Sequence, residues 1–159
     1  MRTCKIIDTC TLINLFCESE TDVSKELQEY DAIVTDDIVR EYTRKYPREI
    51  PSCVKVVSVN DDDRLLMNRL ESLMPSIGTG ERSAYAVMIR LSKQYDRIVL
   101  LTDDKKATKK LRSYLMNDGL FEAPAKIIWA NSDDFLKKIT SESEVKNRSR
   151  RSPVLSDVP

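Results

Sequence analysis

The stretch Arg97-Ile98-Val99-Leu100-Leu101-Thr102-Asp103-Asp104-Lys105-Lys106-Ala107 decides the fold. Ile98-Val99-Leu100-Leu101 is a short apolar run, bounded sharply by polar residues, as in a strand buried on both faces. A threonine and two aspartates follow at once, and then a helix-forming segment predicted from Lys105 to about Leu115 and stopped by Gly119. Acids between a buried strand and a helix sit where the helix dipole favours anions. Strand, acid and helix in this order are the signature of a βα unit. The same signature stands at the start of the chain, where Cys4-Lys5-Ile6-Ile7 leads into Asp8-Thr9 and a helix to Phe16 with Leu12, Ile13, Leu15 and Phe16 as its stripe.

Outward from these two units, the remaining elements alternate. A helix is predicted over Val23–Tyr30, a strand at Ala32–Val34, and a helix from Thr35-Asp36-Asp37 to about Lys45, ended by Pro47 and Pro51. Val54–Val59 reads as a strand, Asn60-Asp61-Asp62 as the cap of a helix through Leu73, and Pro75 and Gly78 as its end. A helix from Glu81 to about Tyr95 precedes the Arg97 strand. Ala125–Trp129 is the last strand, and Asn131-Ser132-Asp133-Asp134 caps a helix through Phe135, Leu136 and Ile139. Strands alternating with helices predict a three-layer α/β/α architecture around a mostly parallel sheet of about five strands. Only 3 glycines, and no Asn-Gly or Asp-Gly between alternating apolar runs, argue against an antiparallel meander.

A chain of 159 residues supports one domain, predicted over 1–140. The segment 141–159 is polar and is predicted to be a disordered tail, made locally basic by Lys146, Arg148, Arg150 and Arg151. Lys and Arg number 26 against 26 Asp and Glu, so bulk charge drives no association with nucleic acid or anionic membrane; any such contact must come from a local patch. An apolar segment of spanning length is lacking, and Asp8 interrupts the first apolar run, so neither membrane insertion nor a signal peptide is expected. A cytoplasmic protein is expected. The four cysteines, Cys4, Cys10, Cys17 and Cys53, form no metal-binding spacing and are expected as reduced, small apolar core residues.

Histidine is absent, which removes histidine general acid–base catalysis, Ser-His-Asp and Cys-His triads and His-ligated zinc. The remaining chemistry must run on carboxylates, lysines, hydroxyls or a bound metal. Asp8, Glu41, Glu81, Asp103 and Asp104 are the candidates. Singly each has an ordinary reading: Asp8, Asp103 and Asp104 as helix caps, Glu81 as an anion in a first turn, Glu41 at the margin of a helix face. Jointly, a parallel sheet gathers strand ends into one crevice, and clustered carboxylates require a cation or protons.

The order of these motifs is strand-Asp-Thr, helix-Glu, Gly-x-Gly-Glu-x-x-Ala, then strand-Thr-Asp-Asp. It resembles the PIN-domain family, metal-dependent ribonucleases that include VapC-type toxins. Ile6-Ile7-Asp8-Thr9, Ile38-Val39-Arg40-Glu41, Gly80-Glu81-Arg82-Ser83-Ala84-Tyr85-Ala86 and Leu101-Thr102-Asp103-Asp104-Lys105-Lys106-Ala107 carry the resemblance, which spans about residues 1–140. It implies a PIN-like fold and hydrolysis of RNA phosphodiester bonds with Mg²⁺ or Mn²⁺. It makes Asp8, Glu41, Glu81 and Asp104 the catalytic acids. Asp8, Glu81 and the Asp103-Asp104 pair would be ligands, with Asp104 matching the family spacing, and Thr9 and Thr102 would line the site. It also implies RNA as partner, a small antitoxin if the chain is a toxin of a toxin–antitoxin pair, and a homodimer. Cys10 departs from the asparagine or serine common in relatives, and the region after Gly119 lacks a glycine-threonine step found in some.

Lys105, Lys106, Lys109 and Lys110 fall on one side of the helix begun by Asp104 and are candidates for RNA phosphates. Tyr85 and Trp129 are expected in the core. Two other enzyme classes fit worse. An aspartate-nucleophile phosphatase needs Asp-x-Asp where Asp8-Thr9-Cys10 stands, and a receiver domain carries its acidic pair after the first strand. The alternative from another class is a catalytically silent PIN-like module that binds RNA or a protein partner.

Overall fold

The computed structural model describes residues 2–18, 20–46, 48–117 and 126–137, with backbone alone at 17, 18 and 20–22. Five strands are β1 (Thr3–Ile7), β2 (Asp31–Thr35), β3 (Lys55–Val57), β4 (Arg97–Leu101) and β5 (Lys126–Ala130). The helices are α1 (Thr9–Glu18), α2 (Glu20–Leu27), α3 (Asp36–Lys45), α4 (Asp61–Leu73), α5 (Thr79–Leu91), α6 (Lys105–Asn117) and α7, described over 132–137. The strands form one parallel sheet in the order β3-β2-β1-β4-β5, flanked by helices as a three-layer α/β/α fold. No helix among the described residues is long and apolar enough to cross a membrane.

The two central strands are the most buried of the sheet, β1 carrying the buried polar residues Thr3 and Lys5 among its apolar ones. Every residue of β1 is buried, and β4 is buried from Ile98 to Leu101. The edges differ: β3 is three residues long, and Lys55 and Val56 are exposed. The predicted strand over Val54–Val59 shrinks because only Lys55, Val56 and Val57 find partners, in Ile33, Val34 and Thr35 of β2. Helix α5 starts at Thr79, two residues before the predicted Glu81, and ends at Leu91, where Ser92 closes it with its hydroxyl on the Ile89 carbonyl at 2.7 Å. The Gly119 stop, the Ala125 strand start, Ile139 and the tail over 141–159 lie outside the described residues.

Caps read from the sequence hold. Asn60 and Asp63 form a reciprocal capping box on α4, at 2.8 and 3.0 Å. Asn131 and Asp134 form another at α7, at 2.8 and 3.2 Å. Tyr85 is buried and meets Tyr114 edge to face, whereas Trp129 is half-buried and borders a groove. Cys4 is a core residue whose thiol burial pushes up to about 12. Cys53 is half-buried, and the Cys17 side chain lies outside the described residues. Cys10 corrects the expectation of a core position: at the second residue of α1 it turns off the first helical turn to the surface and is exposed.

The strand order reverses between β1 and β4. Chain leaving β1 turns toward β2, and chain leaving β4 turns toward β5. The crevice between their carboxyl ends is the switch point of the sheet, where open α/β sheets bind ligands. Asp8 ends β1 there and Thr102-Asp103-Asp104 ends β4.

Candidate functional site

The β1–β4 ladder continues one step past the strands. The Asp8 N–H donates to the Leu101 carbonyl at 3.1 Å, which sets Asp8 beside Thr102. Asp8 caps α1: its Oδ1 accepts from the Thr11 N–H at 2.9 Å. Its Oδ2 accepts from the Thr102 hydroxyl at 2.8 Å. Both oxygens are therefore aimed, and the carboxylate is 4% exposed. Burial raises the Asp8 pKa, hydrogen bonds from Thr11 and Thr102 oppose the rise, and the charge of Asp103 adds to it.

Glu81 enters from the first turn of α5. Gly78 stands at the N-cap and offers no side-chain cap, so the first turn is free to face the crevice. Glu81 Oε2 is buried without a hydrogen-bond partner. Its pKa is pushed up to about 7, first by burial and then by the charges of Asp104 and Asp8; a backbone N–H of Gly78 acts the other way. Asp104 comes from the start of α6, which it caps through Oδ1 and the Ala107 N–H at 3.0 Å. Glu81 thus feels the charges of both Asp8 and Asp104, and shares a side-chain hydrogen bond with Asp104. None of the three forms an ion pair with lysine or arginine among the described residues.

Glu41 is nearby but engaged. Its Oε1 accepts from the Gly80 N–H at 3.0 Å and its Oε2 from the Thr9 hydroxyl at 2.9 Å. It ties α3 to the first turns of α5 and α1. The approach is close: a Cβ at Gly80 would stand 2.7 Å from Glu41 Oε2, so the carboxylate would have to shift from its hydrogen bonds. A buried hydroxyl chain fixes the same turn. Ser83 Oγ donates to the Gly80 carbonyl at 2.7 Å, so the Thr35 hydroxyl must donate to Ser83 Oγ across their 2.6 Å contact. Thr35 Oγ1 in turn accepts from Ile38 and caps α3.

Asp103 turns the other way. Its Oδ1 accepts from the Ser132 N–H at 2.7 Å, and its Oδ2 from the Ser132 hydroxyl at 2.7 Å and the Asn14 side chain at 2.6 Å. Asp103 therefore clamps α7 and α1 to the end of β4, while Asp104 faces Glu81. Of the predicted ligands, Asp8, Glu81 and Asp104 share the crevice, with Thr9 and Thr102 lining it. Glu41 and Asp103 support it from opposite sides. As arranged, no three acids or cysteines among the described residues converge closely enough to grip a single ion.

Sequence reading missed Ser132, Asn14 and Gly80 as supports of the site. Gly80 carried a signal, since a helical glycine beside an acid marks a close approach. Asn14 carried none, because its partner lies 89 residues away. The four lysines of α6 occupy one broad exposed side, divided between two grooves. Lys105 and Lys109 border the groove toward β5 and α7, whereas Lys106, Lys109 and Lys110 border one toward Met74. Lys110 Nζ donates to Ser76 Oγ at 2.5 Å.

Comparison of the chain with protein-family models and with curated proteins finds no match in either.

Proposed function

We propose that this chain is a Mg²⁺- or Mn²⁺-dependent ribonuclease that hydrolyses RNA phosphodiester bonds at the β1–β4 crevice. The observation that carries the reading is the crowding of Asp8, Glu81 and Asp104 with no basic partner among the described residues, one Glu81 oxygen being buried and unpartnered. Such a group is an anionic site short of a counter-charge. Hard carboxylate oxygens without histidine or cysteine in the set suit Mg²⁺ or Mn²⁺ rather than zinc.

Asp8, Glu81 and Asp104 would have to draw closer than they stand here to hold the cation, which when bound would activate water and stabilise the leaving oxygen of the phosphodiester. Thr11 and Thr102 orient both oxygens of Asp8 before any cation arrives. Glu41 sets the α5 first turn that presents Glu81. Asp103 anchors the β4–α6 turn that presents Asp104. Through the resemblance to the PIN-domain family alone, the reading extends to a toxin of a toxin–antitoxin pair, acting in the cytoplasm as a homodimer with a small antitoxin partner.

The second reading is a silent PIN-like module that binds RNA or a protein. It is favoured by one observation: two of the five acids, Glu41 and Asp103, spend their oxygens on structural hydrogen bonds. Incubation of a mixed single-stranded and structured RNA pool with Mn²⁺, Mg²⁺ or EDTA separates the readings. Cutting that needs the cation and falls at least about 100-fold in Asp8→Asn is the expected result. RNA left intact by a folded wild-type protein in both cations would sink the nuclease reading.

A further inference from the structure

We propose that the groove between α6 and the β5–α7 junction binds single-stranded RNA, its phosphates on Lys105, Lys109 and Arg112 and its bases against Trp129 and Met116. The inference rests on the ribonuclease reading for its polymer and adds where the strand lies.

The groove has a volume of about 560 Å³, and its inner end is formed by Thr102 and Asp103. Thr102 is the residue whose hydroxyl holds Asp8, so the groove and the acidic crevice share this residue. Lys105, Lys109 and Arg112 all line it and are all exposed. They stand at i, i+4 and i+7, one stripe of a single helix. At 1.5 Å of rise per residue the stripe places a cation about every 5–6 Å over about 10 Å, a ladder suited to successive phosphates of one extended strand. No ion pair with a carboxylate engages any of the three among the described residues. The two acids of the groove are already occupied: Asp103 by Ser132 and Asn14, and Asp134 by the Asn131 capping box.

The opposite wall, from β5 and α7, contributes Trp129, Ala130, Asn131 and Asp134. Trp129 is half-buried, and Met116, farther along the same helix as the cations, is 80% exposed. A stripe of cations facing an aromatic wall is the arrangement by which proteins hold unpaired bases and track their backbone. An A-form duplex offers phosphates but keeps its base faces stacked inside, so it cannot use the second wall. The sequence contains a single tryptophan, which makes that wall directly observable.

The test titrates short oligouridylate into the full chain in EDTA, reading tryptophan emission and, in parallel, affinity against salt. Binding that quenches the emission is expected. The triple variant Lys105→Ala/Lys109→Ala/Arg112→Ala should bind at least about tenfold more weakly. Its plot of log affinity against log salt should be shallower by about 2, three phosphate contacts at about 0.7 each. Lys93→Ala, at the other end of the sheet, should match wild type. Oligouridylate binding with unchanged emission or an unchanged salt slope overturns the proposal, as does no binding at all. Displacement of the RNA by an acidic peptide that quenches equally would assign the groove to a protein instead, and overturns it too. Because EDTA removes cutting from the measurement, binding as predicted beside a failed cleavage assay would reject the nuclease and leave the groove standing.

Discussion

Two groups of acids at helix starts in this molecule end differently. On the α3–α4–α5 side, Asp37 and Asp63 are 7% and 4% exposed at the side chain, and each meets arginine. Asp37 bonds Arg40 and takes Arg64 at 3.0 Å; Asp63 takes the Arg90 Nε at 3.0 Å while completing the α4 capping box. At the β1–β4 crevice, Asp8 and Asp104 also cap helices, and Glu81 also lies in a first turn. There no arginine pairs with them among the described residues, and burial first, then the charges of neighbouring carboxylates, raises the Asp8 and Glu81 pKa values. Residue type and helix position are shared, so neither marks a functional acid. What separates the groups is the counter-charge, which the first group carries in its own sequence and the second lacks among the described residues.

The difference predicts opposite signs for removing an acid. Asp63→Ala loses a capping box and the charge partner of Arg90, and should cost about 3 kcal/mol of folding stability in urea or thermal unfolding. Gly80→Ala should cost about 1–2 kcal/mol although alanine normally favours a helix, because its Cβ meets Glu41 Oε2; Glu41→Ala in the same background should recover part of the loss. Glu81→Gln should raise the melting temperature of the metal-free protein at pH 8 by a few degrees, since it removes an unpaired buried anion. A fall instead would place Glu81 with the structural acids.

The pH dependence carries the same distinction. Glu81 has its folded pKa raised from 4.5 to about 7, so between those values the folded state keeps a proton that the unfolded chain has released. Its burden on stability is absent below about pH 4.5 and complete above about pH 7. Metal-free wild type should therefore lose stability as pH rises through this window, and Glu81→Gln should show a flatter profile. The smallest expected effect is that of Ser132→Ala, which removes one of two hydrogen bonds from Ser132 to Asp103 and should cost about 1 kcal/mol.

The fold was legible because Ile6-Ile7 and Ile98–Leu101 mark the ends of its central strands and its caps are local: Asn60 with Asp63, and Asn131 with Asp134, are three residues apart. The crevice was legible for a topological reason. Acids after the first and fourth strands must meet wherever a parallel sheet reverses its order, and they do. The division of labour inside the acid set was not legible. Asp103 and Asp104 are adjacent and chemically identical, and the partners that turn Asp103 aside, Asn14 and Ser132, are distant in sequence. The hydrogen bonds of Glu41 were illegible for the same reason, since its partners Thr9 and Gly80 lie 32 and 39 residues away. Edge strands were the weakest reading, because β3 is bounded by its partner and not by its own composition.

The most direct measurement is the melting temperature of wild type and Glu81→Gln at pH 7.5, with and without Mn²⁺. A cation that binds only the folded state must raise it. A clear rise in wild type that is mostly lost in Glu81→Gln is the predicted result. No rise in wild type, or an undiminished rise in the variant, would contradict the assignment of the crevice as a cation site.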